Sequence, residues 1–304
     1  MPSFIQNIKK YYSDKRMLLR YLFLLFILFI IVLQFIKPKT QSVQNYTSQS
    51  SDISSLNFAG EIVPMDGIYS SNQERFDREM LSMITNDSQF ILTYKRQGLY
   101  LPYIHKQLKK YDIPLDFQYL PMIESYLKNS AVSSAGAAGM RQFMPGTAKK
   151  YGLIVDDFVD QRFDYQKATD SAVQYLQDLY SIFGNRTLVA AAYNRGEYGL
   201  LADMQSQSQS GYYDLYLNNE TYRFVFRLLA MKYLMENAGQ YFDTTLLGSQ
   251  YISPETKTIS VDQIQDLKLR SLEKNHSYLQ IKQLNPWIRK NSLYTGNREI
   301  QIFK

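Results

Sequence analysis

The chain contains no cysteine. That excludes disulfides, a thiol nucleophile, iron–sulfur clusters and cysteine-type zinc sites, and it says little about compartment. Histidine is scarce: His105 and His276 are the only two, so a multi-histidine metal site is out of reach. His105 stands among Lys106, Lys109 and Lys110 with no second ligand near it, and reads as a surface or half-buried side chain. No metal and no other cofactor is expected. An excess of charge is also missing where it would matter. The net charge of +6 lies in residues 1–40, which hold seven basic residues against Asp14; the remainder carries 27 of each sign. A nucleic-acid partner is therefore not expected.

Hydrophobic residues make up 45% of the 304, enough for a real core. One long apolar run exists, residues 21–33. Extended to 17–36 it reaches the roughly 20 residues that span a bilayer as helix, with Arg20 able to snorkel. No small-x-small cleavage site follows it, so an uncleaved anchor is expected rather than a signal peptide. Five basic residues precede the run and two follow it. This predicts a cytoplasmic N-terminus, a single pass and residues 41–304 outside.

Residues 40–56 are rich in Ser, Thr, Gln and Asn and read as a tether; 57–72 read as mostly loop. Helical spacing begins near Ser71, with Phe76, Met80, Met83 and Ile84, and continues through Phe90, Ile91 and Tyr94. Further helices are predicted over 101–111, 115–125 (with Asp116 as a candidate N-cap), 145–151, 169–183, 188–193 and 221–235. The Gln/Ser run at 205–210 reads as a mobile loop. Beyond residue 248 the pattern changes. Residues 258–261 and 299–303 alternate like strands, with two short helical stretches between them. The expected division is 1–40 tail and transmembrane anchor, 41–72 linker, 73–245 catalytic domain and 246–304 a small βααβ module. No internal repeat is present.

The chemistry concentrates around Ile123-Glu124-Ser125. Glu124 ends an apolar stretch, and apolar surroundings disfavour a charged carboxylate. Behind it lies a small-residue loop with Gly136 and Gly139, which suits close backbone approach or positive φ. Gln142 follows, able to donate and accept as sugar hydroxyl and acetamido groups require. Met144 adds soft apolar contact. Later, Tyr193 and Asn194 end a short apolar helix and offer a ring, a hydroxyl and an amide. A protonated carboxyl beside such groups suits general acid catalysis on a glycan.

Taken together, these residues resemble the lytic transglycosylases of the goose-lysozyme-like superfamily, which carry the SLT domain. The family pattern is E-S, a nine-residue step to Ser, G-A-x-G-L-x-Q-x-M-P, and then A-Y-N-x-G. Here Glu124 precedes Ser133 by nine residues and Gln142 by eighteen, and Ala192-Tyr193-Asn194-Arg195-Gly196 follows. The resemblance runs from about residue 73 to 240 and is greatest to the membrane-bound murein transglycosylase D type. It implies a mainly α, lysozyme-like catalytic domain and a C-terminal module similar to LysM. It also implies a peptidoglycan glycan-strand substrate, cut between N-acetylmuramic acid and N-acetylglucosamine to leave a 1,6-anhydro end. Glu124 then matches the single acid/base; Ser125, Ser133, Gly139, Gln142, Met144, Tyr193 and Asn194 match substrate-binding positions. The location implied is the bacterial inner membrane with the catalytic domain in the periplasm. Cell-wall synthesis or division proteins are the partner class open to such an enzyme, and the sequence singles out none.

The chain departs from the pattern at Met140 and Arg141, at Arg195, and at Phe224, where the family has tyrosine. Arg141 and Arg195 read as charges on a solvated rim. Two other readings stand beside the first. A hydrolytic muramidase on the same fold would need a second carboxylate, for which Asp160 and Asp164 are the nearest in sequence. A tethered, non-catalytic glycan-binding protein would not need Glu124 at all.

Overall fold

The computed structural model describes residues 17, 19, 22–30, 56–261, 264–292 and 298–304. Residues 17, 19 and 22–30 are helical with exposed apolar side chains. The rest of the expected anchor, residues 18, 20, 21 and 31–36, lies outside the described residues, and among those described no helix is long and apolar enough to cross a membrane.

The body is helical. Helices α1 (Ser71–Thr85) and α2 (Asp87–Lys110) lead to a 3₁₀ turn (Leu115–Tyr119) and the short α3 (Leu120–Ser125). After the Gly-rich loop come α4 (Pro145–Lys150), α5 (Tyr165–Phe183), α6 (Arg186–Arg195), α7 (Glu197–Gln207) and α8 (Asn219–Glu236). Two one-turn helices, α9 (Ala238–Tyr241) and α10 (Thr244–Leu247), close this part. Helix α8 packs against α1, α6 and α3. Its residues Phe224, Val225, Leu228, Leu229 and Met231 are buried in the main core. Side-chain caps mark the helix starts: Asp164 on α5, Asn185 on α6 and Asn218 on α8.

Four local expectations are corrected. Residues 57–72 are not a loop outside the body. Asn57–Phe58 (β1) and Glu61–Ile62 (β2) form an antiparallel hairpin, and Phe58 is fully buried in the core. The Glu61 carboxylate accepts from Arg186 N (2.7 Å), Thr187 N (2.9 Å) and Thr187 Oγ1 (2.7 Å), so it satisfies the free donors at the start of α6. Asp116 caps no helix; it accepts instead from Ala59 N and Lys232 Nζ, tying that hairpin to α8. Helix α2 runs unbroken through Gly98 and Pro102. Residues 250–253 lie along it there: Tyr251 N donates to Lys95 O, Ser253 Oγ to Leu99 O, and a Cβ on Gly98 would meet Tyr251 O at 2.3 Å. The Gln/Ser run is helical up to Gln207. Ser208 caps it in the left-handed region, and the Gln207 amide pairs with both backbone groups of Tyr216.

The C-terminal part has the order β3 (Thr256–Val261), α11 (Leu267–Glu273), α12 (Tyr278–Leu284), β4 (Arg298–Phe303), with β3 and β4 antiparallel. It does not stand alone. Its buried Ile264, Leu267, Ile281, Trp287, Ile288 and Ile300 share one cluster with Ala138, Val159 and Phe163 of the helical body. Backbone bonds cross the join: Asp160 N to Trp287 O at 2.8 Å and Arg289 N to Phe158 O at 2.8 Å.

Shared burial of this kind predicts that the two parts unfold together. In a urea titration the emission of Trp287, the sole tryptophan, is expected to shift red in the same transition as loss of the helical far-UV signal. Trp287→Ala is expected to lower stability by about 3–5 kcal/mol. An emission shift that precedes the helical transition would show a separately unfolding module.

Candidate active site

Glu124 sits in the last turn of α3. Pro121 lies in the first turn, where its missing N–H breaks no helical bond. The chain then reverses sharply: Tyr126 and Leu127 both take positive φ, at 54° each. Tyr126 N to Met122 O (2.8 Å) and Leu127 N to Pro121 O (3.2 Å) close the helix, and buried Leu127 anchors the turn. Gln142 is a third left-handed, non-glycine residue, with φ at 52°. Such positions each cost on the order of 1–3 kcal/mol and persist where the surroundings over-determine them. All three flank the same groove.

That groove has a volume of about 510 Å³ and is lined by Glu124, Ser125, Ser133 and Gln142, together with Asn86 and Gln89. Four of the residues singled out in the sequence therefore come together. Ser133 Oγ accepts from Ala137 N at 3.0 Å, which leaves its own proton for a ligand. Gln142 Nε2 donates to Gly139 O (2.7 Å) and Ala131 O (3.4 Å), which leaves Oε1 to accept. Ser125 is buried, and its hydroxyl donates to Pro121 O and Met140 O; it staples the loop to α3. Gly139 is needed for a different contact than the one expected. A Cβ there would stand 1.7 Å from Arg162 O, so the glycine permits close packing of backbone on backbone.

The loop is held from behind by Arg162. Its Nη1 donates to Gly136 O (2.8 Å) and Phe143 O (3.0 Å), while Nε and Nη2 fork onto the Asp160 carboxylate (2.9 and 2.7 Å). Asp160 also caps the following 3₁₀ turn, and Asp164 caps α5. Both carboxylates are thus structural, and neither lines the groove.

Tyr193 and Asn194 meet the site from α6. The Tyr193 hydroxyl donates to Arg141 O at 3.0 Å, and its ring lies against Tyr175 at 5.4 Å. Burial pushes the phenol's pKa up, with Glu124 adding to the effect and Arg141 opposing it, so it remains a donor. Asn194 Nδ2 donates to Glu220 Oε1 at 3.1 Å and its Oδ1 accepts from Thr221 at 2.9 Å. Met144 is 45% exposed just before α4.

The electrostatics set Glu124 apart. The residue keeps an edge open to the groove, yet its carboxyl is packed deeply enough that its pKa rises from 4.5 to about 8. Burial is the largest cause and the Glu220 carboxylate adds to it; Arg227 and Arg141 oppose them. Glu220 and Arg227 were not found from sequence, and Arg141 was placed wrongly. Glu220, in the first turn of α8, is far from Glu124 in the chain and belongs to no spacing that marks it. Arg141 is not on the rim: it is 1% exposed. Arg195 does lie at the surface, paired with Asp203 at 2.8 Å. Phe224 is core.

A carboxyl held neutral by the fold leaves a trace in stability. Between pH 4.5 and about 8 the folded state binds the Glu124 proton and the unfolded state does not, so stability falls as pH rises through that window. The effect is at most about 1.4 kcal/mol per pH unit. Glu124→Gln removes it. The variant is expected to match wild type near pH 4.5 and to melt higher by several degrees near pH 8, measured by calorimetry. A gap independent of pH would contradict the assignment.

Residues 102–215 match the family model described as Transglycosylase SLT domain. The chain is 33% identical over 147 residues to the membrane-bound lytic murein transglycosylase D of Escherichia coli (strain K12), a match that covers 47% of this chain and 32% of that protein. The protein of the same name from Escherichia coli O6:H1 matches to the same extent. The match thus spans about a third of the length of these relatives. The backbone also aligns with the 70 kDa soluble lytic transglycosylase of Escherichia coli at a TM-score of 0.42 and 22% identity, over 60% of this chain and 32% of that one. The segment that carries Glu124, the Gly-rich loop and the Tyr193-Asn194 pair is thus the part of the chain that matches the transglycosylase SLT domain.

Proposed function

We propose that this protein is a peptidoglycan lytic transglycosylase, with Glu124 as its single acid/base. The observation that carries the reading is a carboxyl kept protonated at neutral pH in a groove that also holds Ser133 and Gln142. In the proposed reaction Glu124 gives its proton to the glycosidic oxygen between N-acetylmuramic acid and N-acetylglucosamine. The bond breaks with its electron pair on that oxygen. The muramyl 6-hydroxyl then attacks the anomeric carbon while its proton passes to the Glu124 carboxylate. The product carries a 1,6-anhydro end and no water is consumed. Ser133 and Gln142 hold hydroxyl and acetamido groups, and Tyr193 fixes the loop beside the acid. Met144, Ser125, Gly139 and Asn194 complete or shape the binding surface. Residues 17–36 would tether the enzyme to the inner membrane with the SLT domain in the periplasm, and the C-terminal βααβ part would be a LysM-like module.

A second reading has one observation in its favour. Glu220 is another carboxylate within electrostatic reach of Glu124, and paired carboxylates serve hydrolysis. Its oxygen is engaged by Asn194, which favours a binding role over water activation.

Digested sacculi separate the readings. Mass spectrometry is expected to find muropeptides lighter by one water than their reducing counterparts. Glu124→Gln is expected to lower the release rate by about 10²–10⁴, the range of general acid catalysis. Reducing ends without anhydro groups would replace the transglycosylase with a hydrolase. Equal release by the variant would remove Glu124 from the chemistry.

A further inference from the structure

Among the described residues, most arginines of the helical body that lie near the core meet a carboxylate or an aromatic face, although Arg75 Nε and two nitrogens of Arg78, the latter beside Glu79 at 3.5 Å, lack a hydrogen bond. Arg162 is forked onto Asp160. Arg75 bonds Asn72, Tyr212 and Tyr222 O and lies over two rings. Arg223 and Arg227 meet the buried Glu79 carboxylate. Arg141 differs. It is 1% exposed, and its one hydrogen bond is a long one, from Nη2 to Thr169 Oγ1 at 3.3 Å. Its Nε and Nη1 have no partner among the described residues.

Its position is well defined. Ser125, the residue after Glu124, donates to Met140 O at 2.8 Å. Tyr193 donates to the carbonyl of Arg141 itself at 3.0 Å. The loop segment bearing Arg141 is therefore stitched to the helix bearing Glu124 on one side and to α6 on the other. A buried guanidinium with idle donors is destabilising, and an apolar side chain of similar size would serve the fold better.

We propose that Arg141 is a positioning residue for the acid/base carboxyl: its guanidinium, with Nε and Nη1 idle, is the built-in counter-charge that Glu124 meets on releasing its proton. The inference rests on the reading of Glu124 as the acid/base. While Glu124 is neutral it makes no demand on a cation. Once its proton has gone to the glycosidic oxygen, a carboxylate is left in a poorly solvated site. The groups that face it are Arg227 and Glu220 from α8, Tyr193 from α6 and Arg141 from the loop. Glu220 repels it, and Arg227 is already shared with Glu79 at 3.6 Å. Arg141 is the cation with no other carboxylate to answer. Return of a proton from the attacking hydroxyl restores the neutral acid and the idle arginine.

The test compares full-length Arg141→Met, Arg141→Gln and Arg141→Lys on a soluble peptidoglycan oligosaccharide, reading kcat and KM against pH together with Tm. For the neutral variants we expect kcat to fall at least tenfold and KM to stay within twofold. The alkaline limb of kcat/KM should move to higher pH, because the carboxylate has lost a stabilising charge, and Tm should hold or rise. Arg141→Lys is expected to recover much of kcat with its alkaline limb near that of wild type. Arg141→Gln keeps a donor toward Thr169, so the comparison does not hang on one neutral variant folding. An unmoved alkaline limb in the neutral variants, or a loss of kcat that merely follows a lower Tm, would overturn the proposal. Wild-type activity in Glu124→Gln, run in parallel, would instead sink the parent reading.

Discussion

The structure turns on keeping one carboxyl protonated where water would ionise it. Burial supplies most of that effect at Glu124, and the Glu220 carboxylate adds to it. Two arginines work the other way. The outcome is an acid poised near neutrality, as the proposed role of giving and then taking a proton requires. Burial alone would leave the carboxylate form too costly to visit. Free access to cations would keep the proton off. The arrangement is a compromise, and the idle donors of Arg141 are its visible cost.

The rest of the molecule can be understood as support for that point. A helix of one and a half turns ends in two left-handed residues, so Glu124 faces a loop rather than a continuing helix. The loop closes on itself through Ser133 and Gly139 and is clamped from behind by Arg162. Arg162 is oriented by Asp160, whose backbone N–H is bonded to Trp287 O in the C-terminal part. A chain of direct contacts thus leads from the segment after α12 to the groove wall. At the far side the β1–β2 hairpin holds the start of α6 through Glu61, and α6 delivers Tyr193. The strain of the left-handed positions is carried by these links.

Much of this was legible in the sequence, for identifiable reasons. Helical spacing at Phe76, Met80, Met83 and Ile84 reflects a buried face that tertiary packing confirms. The distances from Glu124 to Ser133 and Gln142 mark a site because a short loop keeps sequence neighbours close in space. What failed to show lacked such a signature. A hairpin with two-residue strands has no period to detect. The sequence reading starts a new helix at residue 101, yet α2 runs unbroken through that point, with residues 250–253 packed along it. Arg141 carries a charge, and charge argues for solvent; Met140 beside it is equally buried, so no alternation gave warning. Glu220 reaches the site only through the packing of α8 on α3. Asp160 and Asp164 were near in sequence and irrelevant to the groove, because both are consumed by caps and by Arg162.

The central claim is the ionisation of one group, and it can be observed directly. Carbon-13 NMR of glutamate-labelled protein, with the Glu124 carboxyl assigned by its loss in Glu124→Gln, follows that titration site by site. The account predicts a protonated carboxyl at pH 7 and a midpoint near 8. A midpoint near the ordinary 4.5 would show a solvated carboxylate and contradict it.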